Sequence, residues 1–214
     1  MEITWYGHCC VRMTERATIA IVTDPYTPAN GSDLPKLRAD VVTISRDDPL
    51  HNNINAVAGA QRGDVRRITG PGEYEIGGVF IIGVAMRPEK KGAAASRSTV
   101  YAFNFDGLTI AHLGGLSFVP TQAQIDALET VDVLLVPIGG EPELSPLQAA
   151  EVISMIEPSI VVPIGYGAQA KGKEALSRFL KEMGASSLKP LESLKVTKSQ
   201  LPEETQVVLL EARA

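Results

Sequence analysis

Histidine is scarce in this chain: His8, His51 and His112 are the only three among 214 residues. A catalytic zinc normally keeps three protein ligands beside an open position. Metal chemistry here would therefore need nearly every imidazole, or acids and thiols in their place. Cysteine is scarcer still, with Cys9 and Cys10 adjacent in "WYGHCCVRM". Neighbouring residues on a strand point to opposite faces, so a bond between them demands a strained turn. Reduced, buried thiols are the better reading and fit a cytoplasmic compartment. The alternative is that one cysteine faces a site beside His8 and binds metal.

Positive charge is also short. Lys and Arg number 20 against 25 Asp and Glu, for a net charge of −5, and they are scattered rather than clustered. Gripping a phosphate backbone needs a basic surface, so nucleic acid is a poor partner. No apolar stretch reaches the ~20 residues that cross a bilayer. The start, "MEITWYGHCC", lacks a basic segment followed by an apolar run, so no signal peptide is expected. What is present, 44% hydrophobic and 21% charged residues, suits a soluble globular protein with one sizeable core.

Hairpins dominate the first half. Residues 2 to 13 and 17 to 23 read as two strands around "TERA", and "DVVTIS" as a short strand covered on both faces. "NINAVAGAQ" suggests a short helix after His51, and "GPGEYEIGG" a turn before the strand "VFIIGVAM". "RPEKKGAAASRS" reads as a mobile surface loop inserted between strands. "TVYAFNFDGLTIAHLG" is a hairpin about Asp106-Gly107, the strongest short hairpin signal in the chain. Thr121 is a candidate N-cap for "TQAQIDALET". Strand and helix then alternate through "VDVLLVPIGG", "SPLQAAEVISMIEP", "SIVVPIGYG" and "GKEALSRFLKEMG" before two closing strands. A single domain over 1–214, two packed sheets with helices outside, accommodates this order.

The ordered set "ITWYGHCCVRM", "VTDPY", "VTISRDDPLHNN", "GPGEYEIGG", "AHLGGL", "VDVLLVPIGG" and "VVPIGYG" resembles the metallo-β-lactamase superfamily. The nearest branch is that of the L-ascorbate-6-phosphate lactonase-like, metal-dependent hydrolases. The resemblance implies a four-layer αβ/βα sandwich of the α/β (α+β) class, with one or two Zn²⁺ or Mn²⁺ ions at one edge of the sheets. Such ions supply a hydroxide and polarise an ester, lactone, amide or phosphodiester.

This sequence departs from that pattern where the ligands belong. The motif His-x-His-x-Asp-His falls on Arg46, Asp48, Leu50 and His51. A guanidinium has no lone pair to donate and leucine has no donor atom. A further histidine expected after "GGVFIIGV" meets Met86-Arg87, the bridging aspartate falls on Gly115, and the last histidine falls on Gly165. Of the seven positions, only Asp48 and His51 keep a group that binds metal. With three histidines in the chain, no shift of alignment supplies the missing imidazoles.

The remaining cleft candidates are His8, Asp24, Arg46, His112 and Tyr166. Asp24 matches an acid that orients a ligand histidine in the family, and otherwise caps a turn or pairs with Arg46. Asp47, Asp48 and His51 are explained as well by a solvated turn as by a metal. Arg46 is expected in the old metal cavity, bonded to Asp24 or Asp48. Ser45, Ser117 and Ser145 have no histidine near them in sequence, so a serine nucleophile is unsupported.

The expectation is a degenerate, non-hydrolytic member of the hydrolase branch with no cofactor, binding a small molecule or a protein at the old cleft. The alternative is a working hydrolase with one Zn or Mn ion on Asp48, His51 and His8. The resemblance also allows a homo-oligomer.

Overall fold

The computed structural model describes residues 1–15, 19–28, 34–60, 63–88, 97–140, 142–167, 169–185 and 187–213. Its strands are β1 (Glu2–Trp5), β2 (Val11–Thr14), β3 (Ala20–Thr23), β4 (Leu37–Ala39), β5 (Val41–Thr43), β6 (Val57–Gly59), β7 (Arg66–Ile68) and β8 (Gly72–Ile76). They continue as β9 (Val79–Met86), β10 (Ser98–Phe105), β11 (Leu108–His112), β12 (Val133–Pro137), β13 (Ile160–Ile164), β14 (Leu194–Lys195) and β15 (Gln206–Val207). The helices are α1 (Gln122–Asp126), α2 (Pro146–Ile156) and α3 (Ala170–Glu182).

These strands make two large sheets. One has the order β14-β1-β2-β3-β5-β7, the other β15-β13-β12-β11-β10-β9-β8, and β4 pairs with β6 apart from both. Between the sheets lies the main core, with Ile3, Met13 and Ile21 facing Ile81, Phe103, Ile110 and Leu135. The other face of the second sheet packs Val100, Leu134 and Val161 against Ile125, Val152, Ile153 and Phe179 of the helices. β12 and β13 are consequently buried at every residue, as parallel strands covered on both faces should be. The outer face of the first sheet is covered by Tyr26, Leu37 and Val57, from loop and ribbon.

Several local signals act as expected. Asp106 (φ 51°) and Gly107 (φ 81°) both take left-handed backbone, which gives the two-residue turn that matches strand twist between β10 and β11. Thr121 caps α1 by accepting from Gln124 N at 3.3 Å while Gln124 reaches back to the cap backbone. The adjacent cysteines, between β1 and β2, separate, Cys9 into the inter-sheet core and Cys10 into the outer cluster.

Three expectations are corrected. Residues 2 to 13 are two strands, because Gly7 (φ 95°) and His8 (φ 44°) reverse the chain between them. Tyr6 N to Cys10 O at 2.8 Å and Cys10 N to Gly7 O at 2.9 Å close that turn. Most of "GPGEYEIGG" is strand β8; its turn is confined to Gly77-Gly78, both at positive φ, and Gly72–Ile76 pairs back along β9. "NINAVAGAQ" makes one 3-10 turn, Ile54–Ala56, and then enters β6. None of that turn is buried, so no apolar face is there to hold a longer helix. Most of "RPEKKGAAASRS", residues 89–96, lies outside the described residues. No helix among the described residues is long and apolar enough to cross a membrane.

Candidate functional site

β3 and β5 in one sheet run parallel to each other, as do β11, β12 and β13 in the other, and the loops after their carboxyl ends converge. Asp24 follows β3, Ser45 to His51 follow β5, Gly114 and Gly115 follow β11, Glu143 follows β12, and Gly165 follows β13. Sheets of this type hold ligands beyond the carboxyl ends of their strands. The β1–β2 turn adds His8 and Cys9, and it is tied to the same edge by Gly165 N donating to His8 O at 2.8 Å.

Asp24 anchors the group. It is fully buried at φ 41°, and its carboxyl accepts from Ser45 N at 2.7 Å and from Ser45 Oγ at 2.5 Å. Ser45 Oγ in turn accepts from Gly115 N at 2.9 Å, which locks the loops after β3, β5 and β11 together. Burial pushes the Asp24 carboxyl up to about 8, against the Ser45 hydrogen bonds and the Arg46 charge that favour ionisation. Ser45 is therefore a clamp between loops, not a nucleophile.

Arg46 turns inward and its side chain is only 10% exposed. Its Nε donates to Asp48 Oδ2, and its Nη1 donates to Gly115 O at 3.0 Å. Asp48 also accepts from Leu50 N at 2.9 Å and shares 2.7 Å with His51 Nδ1. Burial alone would raise the Asp48 carboxyl, but the hydrogen bonds from His51 and Arg46 outweigh it and hold it below its ordinary value. Asp47, by contrast, is exposed and accepts from Asn52 Nδ2 at 2.6 Å.

His51 is 1% exposed, and among the described residues its Nε2 has no hydrogen-bond partner. That nitrogen lies 4.0 Å from Glu143 Oε1. Burial lowers the His51 imidazole and lifts the Glu143 carboxyl to about 7, so neither readily holds charge unaided. A Cβ at Gly115 would stand 2.9 Å from His51 Nε2 and 3.3 Å from Arg46 Cζ. Gly165 sits at φ 74°, and a Cβ there would meet Pro137 Cβ at 3.0 Å.

The other candidates divide. His112 is fully buried, with Nε2 2.8 Å from Cys9 O and 3.2 Å from Thr23 Oγ1, and with Nδ1 unpartnered among the described residues. This fits a neutral ring that donates from Nε2, and burial lowers its imidazole to about 4. His8 is half-buried with its ring edge-on to Tyr26 at 4.5 Å. Tyr166 packs on Trp5 at 4.8 Å and belongs to the core beside the site. Sequence reasoning missed Glu143 and undervalued Cys9. The rule that loops after parallel strands converge points to the loop after "VDVLLVPIGG", though not to the approach of Glu143 to His51 within it.

Two facing sheets with a polar site on one shared edge define a metallo-β-lactamase type of architecture. The family profile for the Beta-lactamase superfamily domain matches residues 2–165, and the chain belongs to that family. A UPF0173 protein of Pyrococcus abyssi is 28% identical over 92% of this chain and 100% of its own. A UPF0173 metal-dependent hydrolase of Methanospirillum hungatei is 23% identical over 87% and 92%. A crystal structure from Thermotoga maritima, designated a Zn-dependent hydrolase of the metallo-beta-lactamase superfamily, is 31% identical with a TM-score of 0.77, covering 98% of this chain and 97% of its own.

Such relatives raise the question of metal. Among the described residues, Cys9, Asp24 and His51 form the group whose donor atoms are close enough to share an ion, all within 4.8 Å of one another. His8 and Asp48 are not in that group. Two of its members have competing duties: both oxygens of Asp24 accept from Ser45, and Cys9 Sγ donates to Gly114 O at 3.4 Å. Burial, with Glu143 and Asp24 adding to it, pushes the Cys9 thiol well up and opposes the thiolate that zinc needs.

Proposed function

We propose that this chain is a degenerate member of the hydrolase family that has exchanged its metal centre for an arginine and works by binding a ligand at the old cleft, without hydrolysis. One observation carries the reading. The Arg46 guanidinium bridges Asp48 and the Gly115 carbonyl, spanning positions where the resembling motif places metal ligands. A fixed cation there supplies positive charge beside the neighbouring acids, but it has no vacant orbital to coordinate a water and turn it into hydroxide at neutral pH. A two-ion centre does not fit the residues present, since Arg46, Leu50, Gly115 and Gly165 offer it no side-chain donor.

A second reading keeps one ion on Cys9, Asp24 and His51, with Glu143 beside it. The bare, buried Nε2 of His51 favours it. Here these residues would supply the donors and a bound ion would supply Lewis-acid chemistry. Cobalt tells the two readings apart: a thiolate-to-cobalt charge-transfer band that Cys9→Ser abolishes belongs to the second reading alone.

Turnover tests the first. Purified protein supplied with Zn²⁺ or Mn²⁺ is expected to hydrolyse bis(p-nitrophenyl) phosphate, p-nitrophenyl acetate and a simple lactone no faster than the metal blank. Metal-dependent turnover that chelation abolishes would overturn the proposal.

A further inference from the structure

A cleft of about 500 Å³ opens beside Arg46, and its walls include Asn52, Thr69, Arg87, Arg97 and Ser98. The size suits a small organic molecule. Met86 pairs with Ser98 across β9 and β10. The same register, carried one residue further, sets Arg87 opposite Arg97 just beyond the strand ends. Like charges facing each other across an antiparallel pair repel. Both are exposed, and neither guanidinium has a partner among the described residues.

Ser98 adds an independent sign. It is only 6% exposed, and its Oγ has no hydrogen-bond partner among the described residues. A buried hydroxyl without a partner is costly and calls for an explanation. Asp47 is the one carboxylate among the described residues of this wall, and with an Oδ1 that accepts from Asn52 it offsets only one of the three arginines. Arg46 uses Nε and Nη1 on Asp48 and Gly115, which leaves further donors of the five a guanidinium carries. Local positive charge therefore stands out in a chain of net charge −5.

We infer that this cleft is an oxyanion site that takes a small organic molecule by its carboxylate or phosphate group, held between Arg87 and Arg97. A guanidinium fork matches both groups with two parallel hydrogen bonds. An anion between the two arginines turns their repulsion into attraction, and Ser98 is placed to give or accept one more bond. The inference rests on the reading above, in which the cleft binds without hydrolysing.

Inorganic phosphate and acetate are the probes, titrated calorimetrically into the full chain after chelation, at constant ionic strength. Saturable binding is expected, weakened at least about tenfold in Arg87→Gln/Arg97→Gln and several-fold in Ser98→Ala. Lys173→Gln, on the exposed part of α3, should leave it unchanged. The double arginine variant should unfold no earlier than wild type, because it loses a repulsion. Tighter phosphate binding assigns a phosphoester, and tighter acetate binding a carboxylic acid. Binding no stronger than that of chloride, or binding that survives both arginine substitutions, overturns the inference. Phosphate that binds only after Zn²⁺ is restored instead overturns the metal-free reading.

Discussion

Arg46→Met is expected to lower the unfolding free energy by about 2 kcal/mol, since removing one partner of a partly buried pair strands an Asp48 side chain that is 28% exposed. Methionine keeps most of the apolar stem, so the loss reports the charge rather than a cavity. Asp48 would keep its bonds to Leu50 N and His51 but lose its cation, and the Gly115 carbonyl would lose its donor. For a domain of this size the loss corresponds to about 4–8 °C in Tm. Arg46→Met/Asp48→Asn should recover most of it, and a double-mutant cycle measures the coupling. Zn²⁺ should stabilise Arg46→Met, whose acids have lost their counter-charge, and leave wild type unmoved. An Arg46→Met protein as stable as wild type would remove the arginine from the centre of the account.

Wild-type stability is expected to rise as pH falls from 8 to about 6.5, against the usual trend for acidic proteins. Asp24 is pushed up to about 8 and Glu143 to about 7, both by burial. The unfolded chain releases those protons near pH 4. Between those limits the folded state binds more protons, so stability is lost as pH rises through the folded values. His112 works the other way. Its imidazole is lowered to about 4, so the unfolded chain takes up a proton near pH 6.5 that the folded state refuses until about 4. His51 and His8, whose imidazoles burial also lowers, act in the same direction, so the gain is concentrated between pH 8 and 6.5 and flattens below. Unfolding free energies from urea melts should be about 2 kcal/mol higher at pH 6.5 than at pH 8, with little further change at pH 5. Asp24→Asn should flatten the profile, and His112→Gln should steepen its acid side. Parallel profiles for wild type and Asp24→Asn would contradict the assignment. A bound cation would hold Asp24 ionised and remove its share of the effect.

Much of the architecture was legible because its signals are local. Asp106-Gly107 dictates its own turn, and Thr121 with Gln124 dictates a cap. Arg46 was legible as a departure, since no shift of register turns a guanidinium into a ligand. The break at Gly7-His8 was hidden, because it needs two left-handed residues that the run of apolar and β-branched neighbours masks. Glu143 was hidden for a different reason. Its approach to His51 joins the loop after β5 in one sheet to the loop after β12 in the other, and no short sequence pattern records that distance. Tyr166 followed the loop that carries Gly165, yet Trp5 offers its ring an apolar face and draws it toward the core.

The proposed exchange of divalent metal for a guanidinium is tested most directly by counting ions. The protein is incubated with excess Zn²⁺ and Mn²⁺, desalted, and assayed for metal per chain. Retention far below one ion per chain, with no change in melting temperature on chelation, is the predicted result. One or two ions held per chain and released only by chelator, with a fall in melting temperature, would contradict it.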